Sequence, residues 1–517
     1  MKENNIVMTF DIGTQSVRVS LFNSNGTMLA YEKEEYEEPY FSSQDGYAEQ
    51  EADFYYECLK KACNRLAINR AELLKKVRGI TLSCFRDSAV LLDKNLKPLR
   101  PIILWLDQRT AKCEKKLPLL SRAIFKAIGK TETIELNRRR TASNWIIENE
   151  KETWKKVYKY VSLSTYLFYL LTGNLVDCAS DYAGHYPIDY KKRKWNKDPL
   201  NHIQGQVFSI SKDKLCDLVE PLGKIGEINK KASESLQIPI KIPVFAAGSD
   251  KSCETLGCGI IDNKMLSISL GTACTVETTT SKYIGPLRFL PAYPSVLPDD
   301  YNMDLQVYRG FWMINWYKKE FGFDKNNELG FEDINVLDLD NQLASIEVGS
   351  GGLITQPFWG SQLDKPEVRG SIIGFNGSTT KYHIYRSIVE GILFELKFGA
   401  ESFSKRLHHH KFEKIRIAGG GAGSSVICQL VADMFGLEVE RVQTFETSSL
   451  GAATACYIAL GEFKNKEEAI QKMIHVSDKF IPNKENNEKY NRLFNEVYLK
   501  LYPSLKKNYR YLFRLNK

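Results

Sequence analysis

The chain opens on an apolar run, residues 6–10, of the length and continuity of a strand covered on both faces. The segment Asp11-Ile12-Gly13-Thr14-Gln15-Ser16 interrupts it, and residues 17–22 resume with β-branched and apolar side chains. Two strands joined by a tight turn fit this pattern, with Asn-Ser-Asn-Gly-Thr at 23–27 as the next turn. The same unit recurs about half a chain later. Residues 265–270 read as a strand, Gly271-Thr272-Ala273 as a turn and residues 274–279 as a β-branched return strand. Gly-Thr falls at the same point between strands in both units, so the spacing predicts a duplicated domain with its break near residues 257–262. The expected domains are residues 1–258 and 259–517.

Helical periodicity predicts helices over residues 53–66, 154–171, 383–403 and 425–435. Short strands are predicted over 80–84, 89–92, 102–105 and 414–418. Strands and helices interleave in both halves, which gives an α/β class.

Composition narrows the reading. The 517 residues are 43% hydrophobic, enough for a core in each half, and the length suggests two or more domains. The formal charge is 71 − 63 = +8 with no dense basic run beside an aromatic platform. Lys191-Lys192-Arg193-Lys194 and Lys506-Lys507 read as solvated faces, and no nucleic-acid partner is expected. The eleven cysteines include no Cys-x-x-Cys pair; Cys58/Cys63 and Cys253/Cys258 are the closest. Reduced thiols in a cytoplasmic protein are expected, rather than a disulfide framework or a zinc site. Met1 to Asn5 lacks the pattern of a secretory leader, and no uncharged apolar run is long enough for a membrane span, so no membrane partner is expected.

Five segments offer chemistry. In residues 11–16, Gly13 lets backbone N–H groups approach phosphate oxygens, Thr14 and Ser16 add hydroxyls, and Asp11 could hold Mg²⁺ through water; an ordinary hairpin turn would show the same residues. Gly271-Thr272 matches it, and a nucleotide between two such hairpins would be gripped from both sides. Gly419-Gly420-Gly421-Ala422, after a strand and before a helix, would admit a flat ring or a ribose. It is no dinucleotide fingerprint, since Ser424 stands where the third glycine belongs, and a tight strand–helix connection is the alternative. Asp250, after an apolar strand and Gly248, suits a base that orients and deprotonates an alcohol, with a helix cap as the alternative. In residues 83–87, followed by Leu104-Trp105-Leu106-Asp107-Gln108-Arg109, Arg86 and Asp87 offer a donor and an acceptor side by side for a polyhydroxyl ligand, with a structural ion pair as the alternative. Gly129-Lys130-Thr131 lacks the first glycine of a phosphate loop, His408-His409-His410 reads as solvated surface, and His383 as part of a helix start.

Together these segments resemble the FGGY family of carbohydrate kinases from about Ile6 to Gly461. Further matches, in family order, include Gly46-Tyr47-Ala48-Glu49-Gln50, Asp107-Gln108-Arg109, Leu171-Thr172-Gly173, Gly370-Ser371-Ile372-Ile373-Gly374-Phe375 and Leu450-Gly451-Ala452-Ala453. The resemblance implies two duplicated actin-like ATPase (ribonuclease H-like) domains around an interdomain active-site cleft. It implies ATP as phosphoryl donor with Mg²⁺, and closure on a small sugar or polyol. By position, Asp250 matches the catalytic base, and Asp11 with Asp250 the metal carboxylates. Gly13, Thr14, Gln15 and Ser16 match the first phosphate turn, Gly271 and Thr272 the second, with Gly310 near the phosphates. Gly419, Gly420, Gly421 and Ala422 match the nucleoside loop.

Arg86-Asp87 is similar to the Arg-Glu pair of glycerol kinases, whereas xylulokinases show Met-His where this chain has Phe85-Arg86. The family lysine three residues before Trp145 is Ala142 here, and the aromatic residue of glycerol kinases falls near Asn137. The adjacent Arg138-Arg139-Arg140 is expected at the surface, an acidic sugar being the alternative explanation. The expected activity is ATP-dependent phosphorylation of a sugar or polyol hydroxyl by a chain that could act as a dimer or tetramer. The rival readings are an actin- or chaperone-like ATPase without sugar transfer and a silent sugar sensor.

Overall fold

The structure, a computed structural model, describes residues 5–321, 336–360, 362, 365 and 367–515; residues 1–4, most of the amino-terminal segment read above, lie outside it. The first sheet is built from β1 (Ile6–Ile12), β2 (Ser16–Asn23), β3 (Met28–Glu35), β4 (Val77–Cys84), β5 (Lys224–Glu227) and β6 (Pro243–Ser249), in the order β5-β6-β4-β1-β2-β3. The second holds β7 (Met265–Leu270), β8 (Cys274–Thr280), β9 (Tyr293–Pro294), β10 (Tyr301–Val307), β11 (Lys414–Ala418), β12 (Glu438–Val442) and β13 (Val476–Phe480), in the order β9-β10-β8-β7-β11-β12-β13.

The two sheets repeat one plan. The opening strand pairs antiparallel with its hairpin partner and parallel with the strand beyond it, as β1 does with β2 and β4, and β7 with β8 and β11. An antiparallel edge strand, β5 or β13, ends each sheet. All seven residues of β1 are buried, which explains its unbroken apolar run. The helices that matter here are α1 (Ala52–Leu74), α2 (Asp250–Gly257), α3 (Lys381–Arg406), α4 (Ser425–Phe435) and α5 (Thr447–Ala459).

One predicted helix is wrong. Residues 154–171 form the end of a short helix (Lys151–Lys156), a strand (Lys159–Ser162) and a second helix (Leu163–Thr172). The strand pairs with Ala89–Leu92, and Ser162 Oγ accepts from Thr165 N at 3.2 Å, restarting the helix as an N-cap. Sheet pairing and a cap override a periodicity that runs through both. The strand expected over 102–105 stops at Ile103, and Trp105 N instead donates to Ser88 Oγ at 3.0 Å. The other predicted elements form, α1 extending to Leu74. At the start of α3, Thr380 N donates to His383 Nδ1 at 3.3 Å, the structural role expected of that histidine. All eleven cysteines are free thiols, and ten of them are buried. Among the described residues no helix is long and apolar enough to cross a membrane.

The halves meet through exchanged helices. α5 follows β12 of the second sheet but packs on the first: Leu450, Ala453, Cys456 and Tyr457 join Val7 and Phe22 in one apolar cluster. Tyr457 Oη reaches Asn5 O at 2.7 Å and Phe22 O at 2.9 Å. α2 follows β6 of the first sheet, and its Thr255 Oγ1 donates to Glu277 Oε2 on β8 of the second at 2.7 Å. The two helices cross with their backbones touching. A Cβ at Gly257 would lie 1.9 Å from Thr447 O, and one at Gly451 would lie 1.8 Å from Cys253 O.

Gly451→Ala and Gly257→Ala should therefore each cost about 1–3 kcal/mol, read as a lowered urea midpoint. Gly377→Ala, where a Cβ would meet nothing within 4 Å, should leave the midpoint unchanged.

Candidate active site

The site starts at the end of β1. Asp11 is buried between β2 and β4, where Oδ1 accepts from Ser83 Oγ at 2.9 Å and Oδ2 from Arg18 Nη1 at 3.1 Å. Arg18 Nε lies 3.1 Å from Glu446 Oε2, immediately before α5. Burial raises the Asp11 pKa, against the pull of Arg18. In the following turn Gly13 N donates to Ser16 O at 3.0 Å, and Thr14 Oγ1 accepts from Trp105 Nε1 at 3.0 Å. Gln15 is exposed. Ser16 opens β2 with its hydroxyl buried and unpartnered, so Gly13, Thr14 and Gln15 form the accessible part of the turn.

Asp250 is the first residue of α2. The cap is Ser249, whose Oγ accepts from Ser252 N at 3.4 Å, so the alternative role considered for Asp250 belongs to its neighbour. Asp250 is half-buried, and its Oδ1 accepts from Lys251 N at 2.8 Å. Burial raises its pKa most, Lys251 and Arg86 pull it down, and the Asp11 charge pushes it up. Ser448 Oγ on α5 donates to Asp250 O at 3.2 Å. Lys251 Nζ bridges to Glu254 Oε1 and to Ser269 Oγ on β7, both at 3.0 Å.

The second-half segments converge around Leu270 and Phe311. Phe311 N donates to Gly271 O at 3.0 Å, while Thr272 is exposed at the tip of the turn. A Cβ at Gly310 would lie 2.4 Å from Cys274 Sγ, so this glycine seats the chain against the turn. Gly419 has φ +79°, and a Cβ there would lie 2.9 Å from the Leu270 backbone. One at Gly421 would lie 2.2 Å from the Phe311 ring, Ala422 is buried, and Gly420 faces open space.

Arg86 and Asp87 follow β4 but do not pair with each other. Arg86 Nη1 lies 2.9 Å from Asp304 Oδ2 on β10. Asp87, at φ +62°, accepts from His185 N at 2.9 Å and lies 2.6 Å from His185 Nδ1. Burial alone would lower the His185 pKa, but the Asp87 carboxylate outweighs it and holds the ring above its ordinary value. The arginine cluster is not one surface patch. Arg138 is buried and donates to Glu135 at 3.1 Å, whereas the charge of Arg140 acts on His185 and on Tyr308. His185, Lys251 and Asp304 thus join the site without having been singled out from the sequence. A separate cavity of about 400 Å³, lined by Thr280, Lys282, His408 and Lys466 among others, touches none of these residues.

Asp11 and Asp250 present hard oxygen donors, the Asp11 charge reaching Asp250 and raising its pKa, a donor set that suits Mg²⁺. The sequence matches the FGGY family of carbohydrate kinases, N-terminal domain, over residues 6–257 and C-terminal domain over residues 266–460. The chain belongs to the FGGY family of carbohydrate kinases. As a member it is an ATP-binding carbohydrate kinase, and the ATPase reading without sugar transfer is not favoured. It is 28% identical over 508 residues to the xylulose kinase of Lactococcus lactis, covering 96% of each chain. The solved gluconate kinase of Lactobacillus acidophilus shares its fold at a TM-score of 0.81 and 22% identity, over 98% of this chain and 99% of that one. The xylulose kinase structure from the same organism also gives 0.81 at 22% identity, over 98% and 100%. The structural likenesses establish the two-domain fold.

The His185–Asp87 contact gives a signed pH dependence. Because the folded-state pKa lies above the ordinary value of 6.5, its stabilisation is fully present below about pH 6.5 and lost as pH rises through the folded value. The melting-temperature gap between wild type and His185→Gln should be larger at about pH 5.5 than at about pH 9.

Proposed function

We propose that this kinase transfers the γ-phosphoryl group of ATP to a hydroxyl of a small sugar or polyol held beside Arg86 and Asp87, with Asp250 as general base. The observation that carries this reading is the placement of Asp250. It opens α2, half-exposed, with Arg86 and Asp11 both in electrostatic reach, and burial raises its pKa. A carboxylate so placed orients the acceptor hydroxyl and takes its proton as the oxygen attacks phosphorus in line. The turns at Gly13–Gln15 and at Gly271–Thr272 approach the phosphates with backbone N–H groups and the Thr14 and Thr272 hydroxyls. The loop at 419–422 takes the nucleoside, with Gly420 leaving room for it. Mg²⁺, held by Asp11 and Asp250, would supply charge neutralisation at the phosphate oxygens. A division after residue 258 makes the first domain the sugar side and the second the nucleotide side.

The cations around the acceptor pocket set the substrate panel. Arg86 adjoins Asp87, and Asp87 holds His185, which the Arg140 charge also reaches; these donors around one acceptor suit polyols and ketoses and also sugar acids. The Lactococcus lactis relative is a xylulose kinase and one of the Lactobacillus acidophilus structures a gluconate kinase, so pentuloses and aldonates belong in that panel.

ADP release with Mg-ATP, measured across polyols, ketoses, aldoses and sugar acids, should be stimulated by one compound class. Asp250→Asn should lower that kcat by about 10²–10⁴-fold. An unchanged rate in the variant removes Asp250 from the base role, and sugar binding without any turnover marks a sensor.

A further inference from the structure

Arg86 and Asp87 are neighbours in the first domain, yet each is tied to the second. Arg86 reaches it directly. Its guanidinium lies 2.9 Å from Asp304 Oδ2, Nη2 lies 3.5 Å from Gln306 Oε1, and Cζ stands 5.5 Å from the centre of the Tyr293 ring. All three partners lie on the β9–β10 edge, where Tyr293 pairs with Asn302. Asp87 reaches the same edge indirectly. It holds His185; the preceding Gly184 N donates to Tyr190 Oη at 3.2 Å; and the Tyr190 ring packs edge-on against Tyr293, with centroids 5.2 Å apart.

Asp304 is poorly explained as a purely stabilising residue. Its side chain is 5% exposed, and its second oxygen, Oδ1, is buried without a hydrogen-bond partner. It stands opposite Glu277 in the β8–β10 pairing, two carboxylates side by side. Burial and the Asp304 charge push the Glu277 pKa well above the carboxylate range, and the Arg86 guanidinium faces Asp304 at 2.9 Å. Burying a carboxylate in this way is unfavourable unless a cation answers it, and Arg86 supplies that cation from across the domain divide.

We propose that Asp304 and Gln306 are the second domain's share of the sugar site. They are positioning residues that hold the Arg86 fork across the cleft, so the acceptor pocket is complete only when the two domains are closed. The inference rests on the assignment of Arg86 and Asp87 to the sugar made above.

The test uses the full chain and the compound that stimulates ADP release most. Asp304→Asn should raise the sugar KM about tenfold or more, with the ATP KM held within about twofold. Asp304→Glu should recover part of the loss. Arg86→Gln combined with Asp304→Asn should be no worse than Arg86→Gln alone, because one residue acts through the other. If Asp304→Asn does not fold, Gln306→Met carries the test, with a sugar KM raised about threefold. A lowered melting temperature with unchanged sugar KM in these variants, or additive losses in the double variant, overturns the inference while the kinase reading stands. A wild-type chain that phosphorylates no sugar overturns both.

Discussion

The crossing of α2 and α5 is the contact on which the rest of the site depends. Two helices can bring their backbones together only where side chains are missing, and Gly257 and Gly451 stand at that point. Each helix continues from one sheet and packs toward the other, so the crossing is also the joint between the halves. It sets their amino termini side by side: Asp250 begins α2, Glu446 immediately precedes α5, and Ser448 Oγ bonds Asp250 O. Through Arg18, Glu446 holds Asp11 at the end of β1. Asp250, Asp11 and the joint are therefore parts of one continuous set of contacts.

Around that joint the charges alternate. Asp11, Arg18 and Glu446 form one run, Arg86 and Asp304 a second, Asp87 and His185 a third, and Lys251 with Glu254 a fourth. Buried pairs of this kind contribute little net stability, because desolvating the charges offsets most of their attraction. They do make the arrangement specific, since removing one member leaves its partner uncompensated. Two of these runs, through Glu446 and through Asp304, join elements from different halves, so the relative position of the domains is written into the charge pattern of the cleft.

Much of the fold was legible in local pattern. β1 and β7 lie in the centres of their sheets, and their apolar runs and polar turns carry that information within a few residues. The duplicated plan followed from the repeated hairpin. The segment 154–171 misled because the apolar spacing of a strand and of the helix after it joined without a break; the pairing with Ala89–Leu92 that separates them lies some seventy residues upstream.

The site divides in the same way. Glycine turns and an acid after a strand are local signals, and the sequence by itself determined that Asp11, Gly13, Asp250, Gly271 and Gly419 occupy such positions, together with the family that unites them. The partners were decided by tertiary structure alone. Asp87 meets His185 across 98 residues, and Arg86 meets Asp304 across 218. Backbone conformation is set by neighbours along the chain, so it leaves a local trace. A charge pair is set by which segments face each other once the chain has packed, within a domain for Asp87 and between domains for Arg86, and no window of sequence contains that geometry.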